Sequence, residues 1–439
     1  VATSRFFPAT SGPGSPTTGY SGPFRAGIGF RCIAPRVQWL QGYYAWVTPG
    51  GDVTPQTFAL WAVTAAAAGT LIPGSAALSG TLLAGQWNYV PLGTPVPLAP
   101  ATYYVAQRGW TVTGGGGFPD TNSQFSTGGP YVSGLTSGSL FAYSAGTAGG
   151  TAGTTAPYGR QQGLFDTATT NASASLVNGG SSSANFWTDV LVSDAAPAGY
   201  SGTYELDPNN IVGNEAVTLD LNVNYNVAMT FALSAACPVI GIKMLSPPGA
   251  SGLPTRASIY SVTAGGLGGA ELAAITAPAW SGAAGTNWVT ALFSSPPILP
   301  AGTYRVSVYN ANGTLPGGWN AKDSVTGAFG AGGPLAAGII NGPLSAPGVS
   351  AAPLCYDYNG SLPGAVPPYN AGTTEPGQCV FGQDPSGLLA VPWLYAGPAS
   401  GSNPQNYFVS PLIGQPVTLG GTLAPDGGTS RYARRRLLW

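Results

Sequence analysis

Apolar and polar positions alternate along much of this chain with a period of two, the pattern of strands laid against a core. The clearest run is Thr57-Phe58-Ala59-Leu60-Trp61-Ala62-Val63. The same reading predicts strands at Ile28 to Cys32, Val37 to Trp46, Gln86 to Leu92 and Thr102 to Gln107 in the first half. In the second half it predicts Val227 to Leu233, Val239 to Leu245, Ala257 to Val262, Asn287 to Phe293 and Thr303 to Tyr309. Pro-Gly, Gly-Gly and Pro-rich breaks separate these runs, as turns require. Helical periodicity is nowhere sustained, so the pattern predicts an all-β protein of short strands.

The pattern occurs twice. Leu60-Trp61-Ala62-Val63-Thr64 returns as Ile259-Tyr260-Ser261-Val262-Thr263, Pro100-Ala101-Thr102-Tyr103 as Pro300-Ala301-Gly302-Thr303-Tyr304, and Asn185-Phe186-Trp187 as Asn406-Tyr407-Phe408. The partners lie 199, 200 and 221 residues apart, too far for a solenoid repeat, so a whole domain is duplicated. The expected layout is an extended N-terminal arm at 1–25, a β-sandwich at 26–193, a linker at 194–220, a second β-sandwich at 221–412 and a C-terminal docking tail at 413–439.

Composition narrows the function classes. Only 7% of the 439 residues are charged, there is no histidine, and there are 67 Gly and 41 Pro. With 44% hydrophobic and 11% aromatic residues the chain can still build cores that offset its entropy, so disorder is not expected. A net charge of -1 provides no field for nucleic acid, and no apolar run is long enough to span a bilayer. The segment Val1 to Pro8 lacks the apolar stretch of a secretion signal.

Without histidine the usual general base and the Ser-His-Asp and Cys-His arrangements are missing, and neither a metal nor another cofactor is expected. A carboxylate pair of the glycosidase kind is the remaining catalytic option. Yet the acids within the repeats (Asp52, Asp120, Asp166, Asp189, Glu271, Asp323, Asp357, Glu375, Asp384) stand apart, and none recurs in both copies. The expectation is therefore not an enzyme. Asp194, Glu205, Asp207, Glu215 and Asp220 read as a solvated acidic connector, with a weak cation site as the alternative. Cys32 and Cys237 read as buried apolar residues. Cys355 and Cys379 flank a 23-residue Pro/Gly-rich stretch, where a loop-closing disulfide is one reading.

Trp87 and Trp288 occupy matching strand positions and read as core aromatics, with a sugar platform as the alternative. Trp110, Trp319 and Trp393 stand beside Gly or Pro near loops, where an aromatic ring can stack on a sugar; they are the candidate carbohydrate-binding residues. Arg5, Phe6 and Phe7 in the arm, with Arg434, Arg435, Arg436 and Trp439 in the tail, are the candidates for docking to an assembly partner.

An ordered set of short motifs carries a resemblance. Gly27-Ile28-Gly29-Phe30 and Met229-Thr230-Phe231 open the copies; Gly85-Gln86-Trp87 and Gly285-Thr286-Asn287-Trp288 follow; Asn341-Gly342-Pro343-Leu344-Ser345-Ala346-Pro347 appears in the second copy. The first copy has only Gly138-Ser139-Leu140-Phe141 there, and alone keeps an Asp near its close, Asp189. Each copy resembles a β-sandwich family of uncharacterised function from secreted and surface proteins of bacteria, often found beside carbohydrate-active modules. Arg5-Phe6-Phe7-Pro8 and the basic end are similar to minor tail proteins of phages infecting actinobacteria. The resemblance implies two tandem jelly-roll-like sandwiches in a virion tail protein, bound to other virion proteins, with a homotrimer as the arrangement usual in tail fibres. It also implies host-envelope glycan as the ligand. A head fibre or capsid decoration protein and a bacterial surface adhesin stay open as alternatives.

Overall fold

The computed structural model describes residues 2–10, 12–13, 21–65, 68–100, 102–112, 121, 124–125, 128–144, 162–177, 184–206, 217–220, 225–246, 248–262, 268–285, 287–309, 320–323, 337–347, 354–356, 374–376, 379–383 and 408–418. Among these no helix occurs, and the protein is all-β.

The first domain contains β1 (Thr3–Ser4), β2 (Gly22–Cys32), β3 (Gln38–Val47), β4 (Thr57–Ala65), β5 (Ala68–Leu71), β6 (Ala77–Leu78), β7 (Gln86–Leu98), β8 (Tyr103–Val112), β9 (Leu135–Ser137), β10 (Leu140–Ala142), β11 (Gly163–Asp166) and β12 (Thr188–Ser193). One sheet has the order β1-β12-β3-β7. The other runs β5-β4-β8-β2-β10-β9, with β11 also on β2 and β6 on β4. The two sheets enclose Phe30, Leu40, Tyr43, Phe58, Leu60, Tyr104 and Val190, the core of a β-sandwich. The clearest alternating run explains itself here. In β4, Phe58, Leu60 and Ala62 enter this core, while Ala59, Trp61 and Val63 pack on the opposite face with Leu164, Leu176 and Val177. Both faces are buried, so both sets of positions are apolar.

The second domain contains β13 (Val217–Asp220), β14 (Tyr225–Leu233), β15 (Cys237–Ser246), β16 (Arg256–Val262), β17 (Gly268–Thr276), β18 (Asn287–Leu292), β19 (Ile298–Leu299), β20 (Gly302–Tyr309), β21 (Asn320–Asp323), β22 (Gly338–Asn341), β23 (Leu344–Pro347), β24 (Leu354–Tyr356), β25 (Thr374–Pro376), β26 (Cys379–Gln383) and β27 (Val409–Ile413). Its larger sheet runs β17-β16-β20-β14-β23-β22, with β26 on β14. Its smaller sheet sets β18, β19 and β27 against β15. The main strands follow the order of the first domain, with β18 and β19 together in the place of β7, a single bridge at Tyr204 in the place of β1, and nothing described in the place of β6. Two short ladders, β13-β21 and β24-β25, are additional.

The likeness reaches the backbone angles. Gly85 and Gly285 have φ of 76° and 79°, Gly138 and Gly342 have 56° and 58°, and the aromatic residues Trp187 and Phe408 have 49° and 50°. Gly138 and Gly342 each open a tight hairpin turn whose first central residue needs a positive φ; Pro343 then fits the second position, which takes a negative one. A left-handed aromatic is costly. Asn185 Oδ1 accepts the Trp187 N–H at 2.9 Å and holds the turn, and the Trp187 carbonyl accepts the Trp46 N–H at 3.1 Å. The Phe408 carbonyl takes the Leu245 N–H at 3.0 Å in the same way. Both smaller sheets also bulge at one place, at Gln41 in β3 and Ile240 in β15. At Gly42, beside the first bulge, a Cβ would stand 2.5 Å from the Val90 carbonyl oxygen.

One part of the sequence alignment is corrected. Tyr103 and Tyr304 were matched, but it is Tyr104 that corresponds to Tyr304. Tyr104 packs on Phe30 at 5.7 Å and donates its hydroxyl to the Ala99 carbonyl; Tyr304 packs on Phe231 at 5.6 Å and donates to the Pro300 carbonyl. Tyr103 points to the other face, against Tyr143. A slip of one residue reverses the face of every side chain in a strand.

Where they are described, the expected arm and linker pack against the sandwiches. Ser4 pairs with Val192, and Phe6 and Phe7, 4% and 0% exposed, sit in the first core. The linker does the same for the second domain: Tyr204 pairs with Ile413, and Tyr204 and Leu206 enter the second core. Each domain is thus closed by a strap from the segment before it. The acidic connector is not simply solvated, since Ala196 and Tyr200 pack on that same core. Trp39 joins it from the first domain, 4.7 Å from Tyr200, and Val37 donates its N–H to the Ile340 carbonyl at 2.7 Å. After β27 the chain continues along the second domain, with the Val417 N–H on the Ala236 carbonyl. Cys32 and Cys237 are buried free thiols.

Candidate functional site

The strap of the first domain enters along the edge of the smaller sheet, where β1 pairs with β12. Asp189 stands on β12 opposite Tyr44 of β3, which lies opposite Tyr89 of β7. The buried Asp189 carboxylate accepts the backbone N–H groups of Phe6 and Phe7, both at 2.9 Å, that of Val190 at 2.8 Å, and Arg5 Nε at 3.3 Å. Burial pushes its carboxyl above the usual range, and these donors pull against that rise. The Arg5 guanidinium lies 3.9 Å from the centre of the Tyr44 ring and 5.0 Å from that of Trp87. Tyr44 and Tyr89 rings are 4.9 Å apart, and Tyr89 is 42% exposed. Trp87 stacks on Phe7 at 6.0 Å and meets Trp46 edge-on. The result is an aromatic face with a guanidinium fixed over it.

The second domain builds the same place from other residues. Register sets Glu205 at the position of Arg5, Lys243 at Tyr44, Trp288 at Trp87, Thr290 at Tyr89 and Ser410 at Asp189. Lys243 Nζ pairs with Glu205 at 2.5 Å and lies 4.7 Å from the Trp288 ring centre. Ser410 Oγ accepts the Leu206 N–H at 2.8 Å, as Asp189 accepts that of Phe6. Both domains therefore set a cation over the matching tryptophan and pair it with a carboxylate. In the first the strap supplies the cation; in the second it supplies the carboxylate.

The outer faces of the larger sheets differ in chemistry. In the first domain residues 162–177 cover Ala59, Trp61, Tyr103 and Val105. Their polar hold is dense: Arg25 forks onto Asp166 at 3.0 and 2.5 Å and donates to the Ser175 carbonyl, while Gln107 donates to the carbonyls of Ala172 and Ser175. In the second domain the positions matching Ala59, Trp61 and Val105 are Ser258, Tyr260 and Arg305, all buried, while Thr303, at the position of Tyr103, is exposed. There Glu271 takes a fork from Arg256 at 3.0 and 2.6 Å and a bond from Ser258 Oγ at 2.5 Å. Among the described residues these four ion pairs leave Asp166, Asp189, Glu205 and Glu271 each matched to a cation, and no acidic or cysteine cluster with metal-holding geometry occurs.

The structure redistributes the expected site residues. Trp110 is 3% exposed inside β8, packed edge-on to Phe24 at 5.0 Å beneath the Arg108 guanidinium, so its ring presents no open face to a sugar. It looked like a loop residue because Gly109 precedes it, but that glycine lets the chain pass close to the Thr170 carbonyl. Arg5, Phe6 and Phe7 close the chain's own first domain, and the two phenylalanine rings are buried in its core. Trp319, Trp393, Arg434, Arg435, Arg436 and Trp439 lie outside the described residues. Cys355 pairs across its ladder with Glu375, and Cys379 opposite Met229; their side chains, and so the disulfide reading, lie outside the described structure. Tyr44 and Tyr89 were missed, because only the cross-strand register brings them together.

No protein-family model matches the chain, and no curated protein matches it. Among solved structures it is similar to the recombinant pro-11S globulin of pumpkin at 7% identity, over 69% of this chain and 82% of that one. The TM-score of 0.11 carries no argument about fold or function.

Proposed function

We propose that the chain is a non-catalytic structural protein of a phage virion, a minor tail protein whose jelly-roll-like sandwiches meet the host surface and hold envelope glycan. The observation that carries this reading is the aromatic face of the first domain. Tyr89 is exposed beside Tyr44, and Arg5 is fixed over the Tyr44 ring. Tyrosine offers a flat apolar ring and a hydroxyl on a stiff side chain, which suits stacking on a pyranose while bonding its hydroxyls. The second domain has Lys243 and Thr290 at those positions, so binding is assigned to the first. The strap that fixes Arg5 is closed within the chain, so the face is preorganised.

The test is retention of the intact protein on host cell-wall polysaccharide. Wild type is expected to bind, and Tyr89→Ala to lose most of that binding while staying folded, its unfolding midpoint lowered only by the loss of the Tyr44 contact and the hydroxyl bond to the Gln41 carbonyl. No binding by wild type, or equal binding by both proteins, overturns the assignment.

A further inference from the structure

We propose that the opposite polarity of the two strap ion pairs is a recognition code that assigns each strap to its own domain. The need for one follows from the duplication. The two grooves offer the same backbone edge: Val192 of β12 pairs with Ser4, and the matching Ile413 of β27 pairs with Tyr204. The next contact also repeats, with Ser137 Oγ donating to the Arg5 carbonyl and Asn341 Nδ2 donating to the Glu205 carbonyl. By its main-chain bonds alone, either strap fits either groove. Repeated domains misassemble through such interchangeable segments, within one chain and between copies.

Charge separates them. In the first groove the sheet holds the carboxylate, Asp189, and the strap brings Arg5. In the second the sheet holds the ammonium, Lys243, and the strap brings Glu205. Exchange would set Glu205 against the buried Asp189 and Arg5 against the buried Lys243. Each wrong pairing gathers like charges where little water reaches them, and each strands a buried ion without its partner. Discrimination by repulsion of the wrong partner works even where attraction to the right one is modest. Size adds to it, since Phe6 fills the place that Leu206 fills in the other core. The proposal is independent of glycan binding.

The test uses the full chain with the second pair reversed, Glu205→Arg/Lys243→Glu. An ion pair is kept, and the new arginine can lie over Trp288 as Arg5 lies over Trp87, so the native urea midpoint is expected to stay near that of wild type. Both straps then carry arginine and both sheets a carboxylate. After unfolding and dilution, less native monomer is expected to return than for wild type, with a matching gain in dimers and larger species. Glu205→Gln/Lys243→Met removes the charges from one groove and is expected to fall between, and it decides the matter by the same comparison if the reversed chain does not reach the native state. Equal recovery for variant and wild type overturns the proposal. So does a loss of recovery that follows a lowered native midpoint, because destabilisation alone would then explain it.

Discussion

Replacing Phe7 by alanine tests whether the first residues of the chain are a strap or an arm. The ring is 0% exposed and has four aromatic neighbours: Trp187 at 5.2 Å, Trp87 at 6.0 Å, Tyr131 at 6.1 Å and Phe6 at 6.4 Å. Truncating a core phenylalanine costs roughly 3–5 kcal/mol, and aromatic pairs add to plain area burial, so about 4 kcal/mol is expected. With a urea m-value of about 2–3 kcal/mol/M, the first domain's midpoint should fall by roughly 1.3–2 M. A solvated arm would change stability by no more than about 0.5 kcal/mol. Tryptophan fluorescence reports the transition, since Trp87 and Trp187 lie against the deleted ring. A midpoint that moves by less than about 0.3 M would refute the buried strap.

Three further outcomes follow from the same geometry. Asn185→Ala removes the acceptor that holds Trp187 at its left-handed φ and should cost about 1–2 kcal/mol, while Asn185→Asp keeps an oxygen there and should cost less; urea midpoints of both variants check this. Gly42→Ala drives a Cβ into the Val90 carbonyl and should destabilise the first domain by at least about 1–3 kcal/mol, seen as a lowered melting temperature. Burial raises the Asp189 carboxyl above its ordinary value, so between the unfolded and folded values folding takes up a proton; this contribution is full below about pH 4 and is lost as pH rises through the folded value, above which the group is the carboxylate paired with Arg5. Midpoints measured across that window should lose this slope in Asp189→Asn, and a slope retained in the variant would refute the assignment.

The strands were legible because alternation and turn residues are local. The expected Thr57 to Val63 and Val37 to Trp46 correspond to β4 at Thr57–Ala65 and β3 at Gln38–Val47. The straps were not legible, because β1 has two residues and its hold comes from a side chain, Asp189, far along the chain. A signal existed: Thr3-Ser4-Arg5-Phe6 and Thr203-Tyr204-Glu205-Leu206 stand 200 residues apart, the spacing of Pro100 and Pro300. It was hidden because charge reverses between the two segments, and only the register shows the ion pair behind each sign. Likewise Trp110 is marked as a loop residue by its neighbours, while its burial depends on Phe24 and Phe186, which sequence places far away.

The corner where each domain starts and finishes sets how it bears a pull. Ala2 and Asp194 exchange bonds at 3.0 and 3.1 Å, and Thr3 lies opposite Ser193, so the first domain receives and releases the chain at one point. In the second, Tyr204 and Ile413 exchange bonds at 2.7 and 2.8 Å. Tension along the chain therefore reaches these clasps before it reaches either sandwich. The antiparallel clasp bonds open one after another, like a zip, while the cores hang beside the line of force. A protein arranged this way is loaded first at its straps, and because Phe6, Phe7, Tyr204 and Leu206 belong to the cores, drawing a strap out removes side chains from the core it closes.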